Sequence, residues 1–292
     1  MADLYIVKAT ELNVRSSPHV EESNKITSIP EGHVISKISA GDGDWWKVLT
    51  IKDGQTLEGF VASRFLKPAP NIIQAIGWFK DQFRSKIEAK IAGTPFSLDI
   101  LAAIALQETY YIWGKLYTTL SVGEVLKLCV GDTIDAPNRS AFPKTKAALL
   151  SVNKGDKMFD IAREALEAVG SYVNDYQRVA DSSPDKFCHG FGIFQLDLQF
   201  FQDDADYFLQ KKWYSFDECL SKCTNELKAA IKRVYGSGKT ALTDREKVYV
   251  AIAYNCGSVD LSRGFKQGYR DESGNYYGEY IWEYLQLAQS VP

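Results

Sequence analysis

The chain has 292 residues, 45% hydrophobic and 24% charged, which excludes collagen-like, low-complexity and largely disordered chains and leaves enough chain for a sizeable core. With 34 basic against 37 acidic residues the formal net charge is -3, so no global electrostatic footprint points to nucleic acid or an anionic membrane as partner. The most apolar stretch, Leu98 to Leu106, is shorter than the ~20 residues a bilayer span needs and contains Asp99, so it reads as a buried helix. Met1 to Tyr5 lacks a basic segment followed by an apolar one, so no secretory signal is expected there. Five cysteines, an odd number spread over a long chain, fit free thiols in a reducing compartment better than a disulfide framework.

From the N-terminus to Lys67 the sequence alternates short β-like runs with turn chemistry. Leu12 to Arg15, Val34 to Ile38, Trp45 to Ile51 and Leu57 to Ala62 are separated by Ser16-Ser17-Pro18, Pro30-Glu31-Gly32 and Gly41-Asp42-Gly43-Asp44. This predicts a small all-β domain over 1–67. Pro68 and Pro70 then interrupt any ladder, and 68–75 is read as a linker. Beyond it the periods become helical over 76–292. Ser97 is a candidate N-cap ahead of a stripe of Leu98, Leu101, Ile104 and Ala105. Met158 to Val173 and Phe216 to Tyr235 predict further amphipathic helices. Thr243-Asp244-Arg245-Glu246 is a capping box opening a helix that Gly257 would stop. No repeat of solenoid period is present.

Three places carry potential chemistry. Glu108 continues the apolar stripe, four residues after Ile104, where a carboxylate is costly; burial would raise its pKa and fit it to donate a proton near neutral pH. The bland alternative is a helix-end glutamate paired with a basic side chain. In His189-Gly190-Phe191-Gly192-Ile193-Phe194-Gln195-Leu196-Asp197, two glycines allow close backbone approach, and if the run is extended Gln195 and Asp197 point to one side; otherwise it is a glycine turn into an apolar strand. Ala253-Tyr254-Asn255-Cys256-Gly257 would present a hydroxyl and an amide at a helix end. Among lesser features, alternation turns one of Trp45 and Trp46 inward as core and one outward as a candidate ligand platform. Tyr276, Tyr277 and Tyr280 either stack on a ligand or pack between helices. Cys219, Cys223 and Cys188-His189 lack familiar zinc spacing, so no metal site is expected, and no motif implies a cofactor.

The order Ala-Ile-Ala-Leu-Gln-Glu-Thr, Gly-Phe-Gly-Ile-Phe-Gln-Leu-Asp, Ala-Tyr-Asn-Cys-Gly resembles the lysozyme-like superfamily of goose-type lysozymes and soluble lytic transglycosylases. Separately, Leu12-Asn13-Val14-Arg15-Ser16-Ser17-Pro18, Gly43-Asp44-Trp45-Trp46-Lys47-Val48 and Gly59-Phe60-Val61-Ala62-Ser63-Arg64-Phe65-Leu66 resemble bacterial SH3-like wall-binding domains. Together they imply an SH3-like barrel followed by a mainly α lysozyme-like domain that cleaves the β-1,4 bond between N-acetylmuramic acid and N-acetylglucosamine in peptidoglycan. Glu108 would be the general acid. Asp197 would be a candidate base, with Asp185 a second one, and the reaction a hydrolysis; without a base, the muramyl 6-hydroxyl would attack in a lytic transglycosylation. Gln195, Tyr254 and Asn255 would hold the sugar, with Gly190, Gly192 and Thr109 beside them; Thr109 stands where the family has serine. About 80 residues separate Glu108 from Gly190, more than the family interval, so a helical insertion over roughly 113–185 is expected as lid, length selector or site for an inhibitor or immunity protein. The other readings are an inactive glycan-binding protein and a chitin-type glycosidase. With no secretory signal, the protein would reach the wall by phage-type release or by a secretion apparatus.

Overall fold

A computed structural model describes residues 3–133 and 139–292; part of the expected insertion, 134–138, and the first two residues lie outside the described residues. The chain forms an N-terminal β-sheet followed by a mainly helical region, in the order expected. It divides into two compact units, one of Met1–Arg84, Leu98–Ala103 and Trp282–Pro292, the other of Ser85–Ser97 and Ile104–Ile281.

In the first unit, β1 (Asp3–Val7), β2 (Glu11–Arg15), β3 (Lys25–Pro30), β4 (Val34–Ala40), β5 (Trp45–Lys52), β6 (Gln55–Ala62) and β7 (Leu66–Pro68) make one antiparallel sheet ordered β3-β2-β6-β5-β4-β1-β7. Alternate residues turn inward and bury Val7, Leu12, Val14, Ile29, Ile35, Val48, Val61 and Leu66 in one cluster. Gly59 on β6 is required where β2 crosses, because a Cβ there would lie 2.4 Å from Val14 Cγ1. Arg15 is buried yet satisfied, donating to Asn24 Oδ1 at 2.8 Å and to the Glu21 carbonyl at 2.5 Å. Strands β1, β3 and β7 go beyond the runs predicted. Pro68 is tolerated in β7 because that strand is the sheet edge, paired only with β1.

Helix α1 (Asn71–Ile91) opens inside the segment read as linker, with the Ile73 and Gln74 amides donating to the Pro70 carbonyl. Lys80 on α1 is 3% exposed and pairs with Asp99 at 2.8 Å, while donating to the carbonyls of Ala288 and Val291 at 2.7 and 2.6 Å. Its burial lowers the ammonium pKa, and these partners offset the desolvation.

The remaining helices are α2 (Leu98–Leu116), α3 (Val122–Leu128), α4 (Lys146–Leu150), α5 (Gly155–Gly170), α6 (Asn174–Ser182), α7 (Ala205–Leu209), α8 (Phe216–Tyr235), α9 (Asp244–Cys256) and α10 (Tyr277–Ser290). As predicted, α9 starts at a Thr243–Glu246 capping box and ends at Gly257 in the left-handed conformation, φ 77°. A small three-stranded sheet in the second unit joins β8 (Val130–Gly131), β9 (Gly190–Phe191) and β10 (Leu196–Asp197). The segment between Glu108 and Gly190 is therefore more than an appended helical layer: it supplies β8, which pairs Val130 with Phe191 and Gly131 with Gly190. Among the described residues no helix is long and apolar enough to cross a membrane.

Candidate active site

Glu108 projects from α2 into a cavity of about 490 Å³ in the second unit. The same cavity is lined by Asp132 after β8, by Phe194, Gln195 and Asp197 of the β9–β10 hairpin, by Cys219, Lys222, Cys223 and Glu226 of α8, and by Tyr254 and Asn255 at the end of α9. Fold geometry thus gathers Glu108, Gln195, Asp197, Tyr254 and Asn255, which are far apart in the sequence, onto one concave surface.

The Glu108 carboxyl is half-buried and accepts a hydrogen bond from the Tyr277 hydroxyl at Oε1, 2.8 Å. Loss of water around it pushes its pKa up to about 8; the Tyr277 hydrogen bond opposes this, and the negative charge of Asp132 adds to it. At neutral pH the group is mostly protonated and can donate. Tyr277 is itself 2% exposed, so its hydroxyl serves Glu108 and the ring packs in the core rather than stacking on a ligand.

The glycine-rich segment departs from the extended reading. Gly192 (φ 87°) and Gln195 (φ 51°) are left-handed, and the Gln195 amide donates to the Gly192 carbonyl at 2.9 Å, so 190–197 is a tight hairpin. The Gln195 side chain consequently folds back, its Nε2 donating to the Gly192 carbonyl at 2.8 Å, and does not share a strand face with Asp197. Gly192 is needed for packing, because a Cβ there would meet Cys219 Sγ at 2.5 Å; on Gly190 it would meet Gln195 Oε1 at 2.1 Å and displace that side chain.

Asp197 is held by a forked contact with Arg139, at 2.9 Å from Nη1 to Oδ2 and 2.5 Å from Nη2 to Oδ1, and its Oδ1 also accepts the Gln199 amide at 2.7 Å. Tyr254 donates to the Phe194 carbonyl at 2.5 Å, tying the end of α9 to the hairpin, while Asn255 is exposed at the rim. Thr109 does not reach the cavity as expected. It is fully buried, and its hydroxyl donates to the Ile193 carbonyl at 2.8 Å, joining α2 to the hairpin. Asp185 also lies elsewhere: it is exposed, pairs with Lys146 at 3.0 Å and lines a different cavity. Trp45 and Trp46 stand on β5 of the sheet unit. Trp46 packs against the core edge-on to Tyr5 at 4.8 Å, with Lys37 Nζ 4.0 Å above its ring.

Asp132, Arg139 and the Tyr277 contact are the features of the candidate site that sequence reasoning missed. Asp132 and Arg139 sit in the segment read as an insertion; Asp132 directly follows β8, whose pairing with β9 seats it on the cavity that Glu108 lines. All five cysteines are free, four of them buried, and no metal-binding cluster of His, Cys, Asp or Glu occurs among the described residues.

Residues 10–67 match the bacterial SH3 domain family, so the sheet unit contains a bacterial SH3 domain. No curated protein and no solved structure matches the chain.

Proposed function

We propose that the protein is a peptidoglycan-cleaving glycosidase, its bacterial SH3 domain binding cell-wall material and its helical region cutting the glycan. The observation that carries this reading is Glu108: a carboxyl set on a cavity wall, oriented by Tyr277, with its pKa pushed up to about 8. Such a group protonates the glycosidic oxygen as the bond to the anomeric carbon breaks, and the leaving oxygen keeps the bonding pair. Lined by carboxylate, amide and hydroxyl groups, the cavity suits a polar, N-acetylated sugar chain better than an apolar ligand.

The developing oxocarbenium ion is then captured in one of two ways. In hydrolysis a carboxylate takes a proton from water as the water oxygen attacks. Asp197 is poorly suited, since both oxygens are engaged by Arg139 and one also by Gln199. Asp132, exposed on the same cavity wall, is a second candidate carboxylate. In lytic transglycosylation the muramyl 6-hydroxyl attacks instead, and the Glu108 carboxylate recovers the proton.

The test is mass spectrometry of soluble products from purified peptidoglycan treated with the wild type, Glu108→Gln and Asp132→Asn. Fragments absent from the Glu108→Gln digest establish the glycosidase. Reducing ends lost in Asp132→Asn assign hydrolysis to that pair; 1,6-anhydro ends assign transglycosylation. No fragments from folded wild type would overturn the enzyme reading and leave a wall-binding protein, and cleavage of chitin oligomers alone would reassign the substrate.

A further inference from the structure

Two tyrosines that the glycosidase reading leaves unused meet over β8. Tyr111 follows Glu108 by three residues on α2, within one turn and on the same side of the helix, and Tyr176 comes from α6. Their rings stack with centroids 6.1 Å apart at an interplanar angle of 15°, and their hydroxyls share a hydrogen bond of 2.6 Å. Tyr176 is buried; Tyr111 is exposed as a residue, yet its hydroxyl reaches inward onto the backbone of β8.

The backbone they meet is a pair of glycines. Gly131 on β8 and Gly190 on β9 are register partners, so side chains on them would point to one face. A Cβ on Gly131 would run into the Tyr111 hydroxyl and come within 3.1 Å of the Tyr176 hydroxyl and 3.0 Å of Gln195 Oε1; one on Gly190 would meet the same Gln195 oxygen and lie 3.3 Å from Asp132 Oδ2. Four oxygens, from α2, α6, the β9–β10 hairpin and Asp132, therefore converge on a bare glycine platform.

Asp132 is the residue this platform governs. It follows Gly131 in the left-handed conformation, φ 62°, which costs an L-residue energy and persists where the surroundings impose it. It is exposed between two buried neighbours. Gly131 lies under the hydroxyl pair, and Thr133 is fully buried with its carbonyl accepting from Lys186 at 3.1 Å. The chain is thus clamped on both sides of a carboxylate that lines the cavity.

We propose that Tyr111 and Tyr176 are positioning residues: their hydroxyl pair bears on the Gly131 backbone and so fixes where the Asp132 carboxylate stands relative to Glu108. The consequence for cleavage rests on the glycosidase reading, with Asp132 as its second carboxylate. Tyr254, Tyr277 and Cys223 also face Glu108, but burial raises each of their pKa values and leaves them uncharged at neutral pH. Of the charged groups on the cavity wall, Lys222, Glu226 and Asp197 are paired with Asp204, Arg233 and Arg139. The Asp132 charge is therefore the one whose position the Glu108 carboxyl senses.

The experiment follows the Glu108 carboxyl by ¹³C spectroscopy through a pH titration of the full chain, with kcat and KM on soluble glycan fragments and thermal unfolding alongside. The variants are Tyr111→Phe, Tyr176→Phe and the protein carrying both changes. Each single change keeps the ring but takes a hydrogen-bond partner from the other hydroxyl and should lower stability; removing both hydroxyls should restore most of it. Positioning predicts that the Glu108 midpoint falls by at least about half a pH unit and kcat by about tenfold, with KM within about twofold, in Tyr111→Phe and in the doubly changed protein alike. Adding Tyr111→Phe to Asp132→Asn should change neither quantity further, because both act through one carboxylate. An unmoved midpoint or kcat in Tyr111→Phe, recovery of either along with stability in the doubly changed protein, or a full further effect in the Asp132→Asn background would each overturn it. The titration needs no turnover. If folded wild type releases no fragments, the glycosidase reading falls while a moved midpoint upholds the positioning of Asp132; cleavage with an unmoved midpoint would do the reverse.

Discussion

At Glu108 two neighbours act in opposite directions on one carboxyl, and each can be removed separately. Asp132 raises its pKa by charge repulsion, and Tyr277 lowers it by hydrogen bonding to the ionised form. In the activity that Asp132→Asn retains, the alkaline limb of the kcat/KM pH profile, set near pH 8 by loss of the Glu108 proton, should move to lower pH. Tyr277→Phe should move it to higher pH while reducing kcat through loss of orientation. Both shifts are read from profiles on soluble glycan fragments, and movement in the same direction would contradict the assignment. The same carboxyl has a stability consequence. A glutamate at 4.5 in the unfolded chain and about 8 in the fold carries no penalty below pH 4.5, and one that grows through the window up to about pH 8. Glu108→Gln should therefore stabilise the fold little at pH 4 and by about 2–4 kcal/mol at pH 9, allowing for screening by cavity water, as measured by denaturant unfolding at the two pH values.

Among the elements, the β9–β10 hairpin meets α2, α8 and α9 at once. Thr109 joins it to α2, Tyr254 ties it to α9, and Gly192 lets it approach Cys219 on α8. Gly192→Ala would force a side chain into a left-handed residue at φ 87° and against Cys219 Sγ at 2.5 Å. A loss of about 2–4 kcal/mol in unfolding free energy is expected, with glycan cleavage falling at least tenfold in the remaining folded protein because Gln195 and Asp197 move with the turn. Cys219, Cys223 and Cys129 fill the space under the hairpin as buried thiols whose pKa values burial raises, which makes them packing groups rather than nucleophiles.

On the scale of the whole molecule, the proposed function would join a wall-binding sheet unit and a cutting helical unit on one chain, which would raise the local concentration of substrate without any new contact in the cleft. Alternation along β5 turns Trp46 to the core and leaves Trp45 on the other face, as the wall-contact candidate. Trp45→Ala should slow digestion of insoluble wall about tenfold and leave cleavage of soluble glycan fragments unchanged. Comparison of the two substrates at equal enzyme concentration checks this, and an equal fall on both would place Trp45 in folding rather than binding.

Local pattern carried much of this architecture. Alternating runs between turn residues marked β2, β4, β5 and β6, a capping box and a glycine bracketed α9, and a carboxylate on an apolar stripe singled out Glu108, because each signal lies within a few residues of the structure it specifies. Strands β1 and β7 lack such a signal, since their pairing spans some 60 residues of chain. Tertiary structure alone decided that Gln195 folds back, that Thr109 is a buried tie, and that Arg139 occupies Asp197 while Asp185 stands outside the cavity. It also decided that Asp132, 24 residues after Glu108, and Tyr277, 169 residues after it, converge on that carboxyl. Short-range periodicity encodes which face of an element is buried; which distant group meets a buried carboxyl depends on how strands pair and helices pack, and that is written in no single segment.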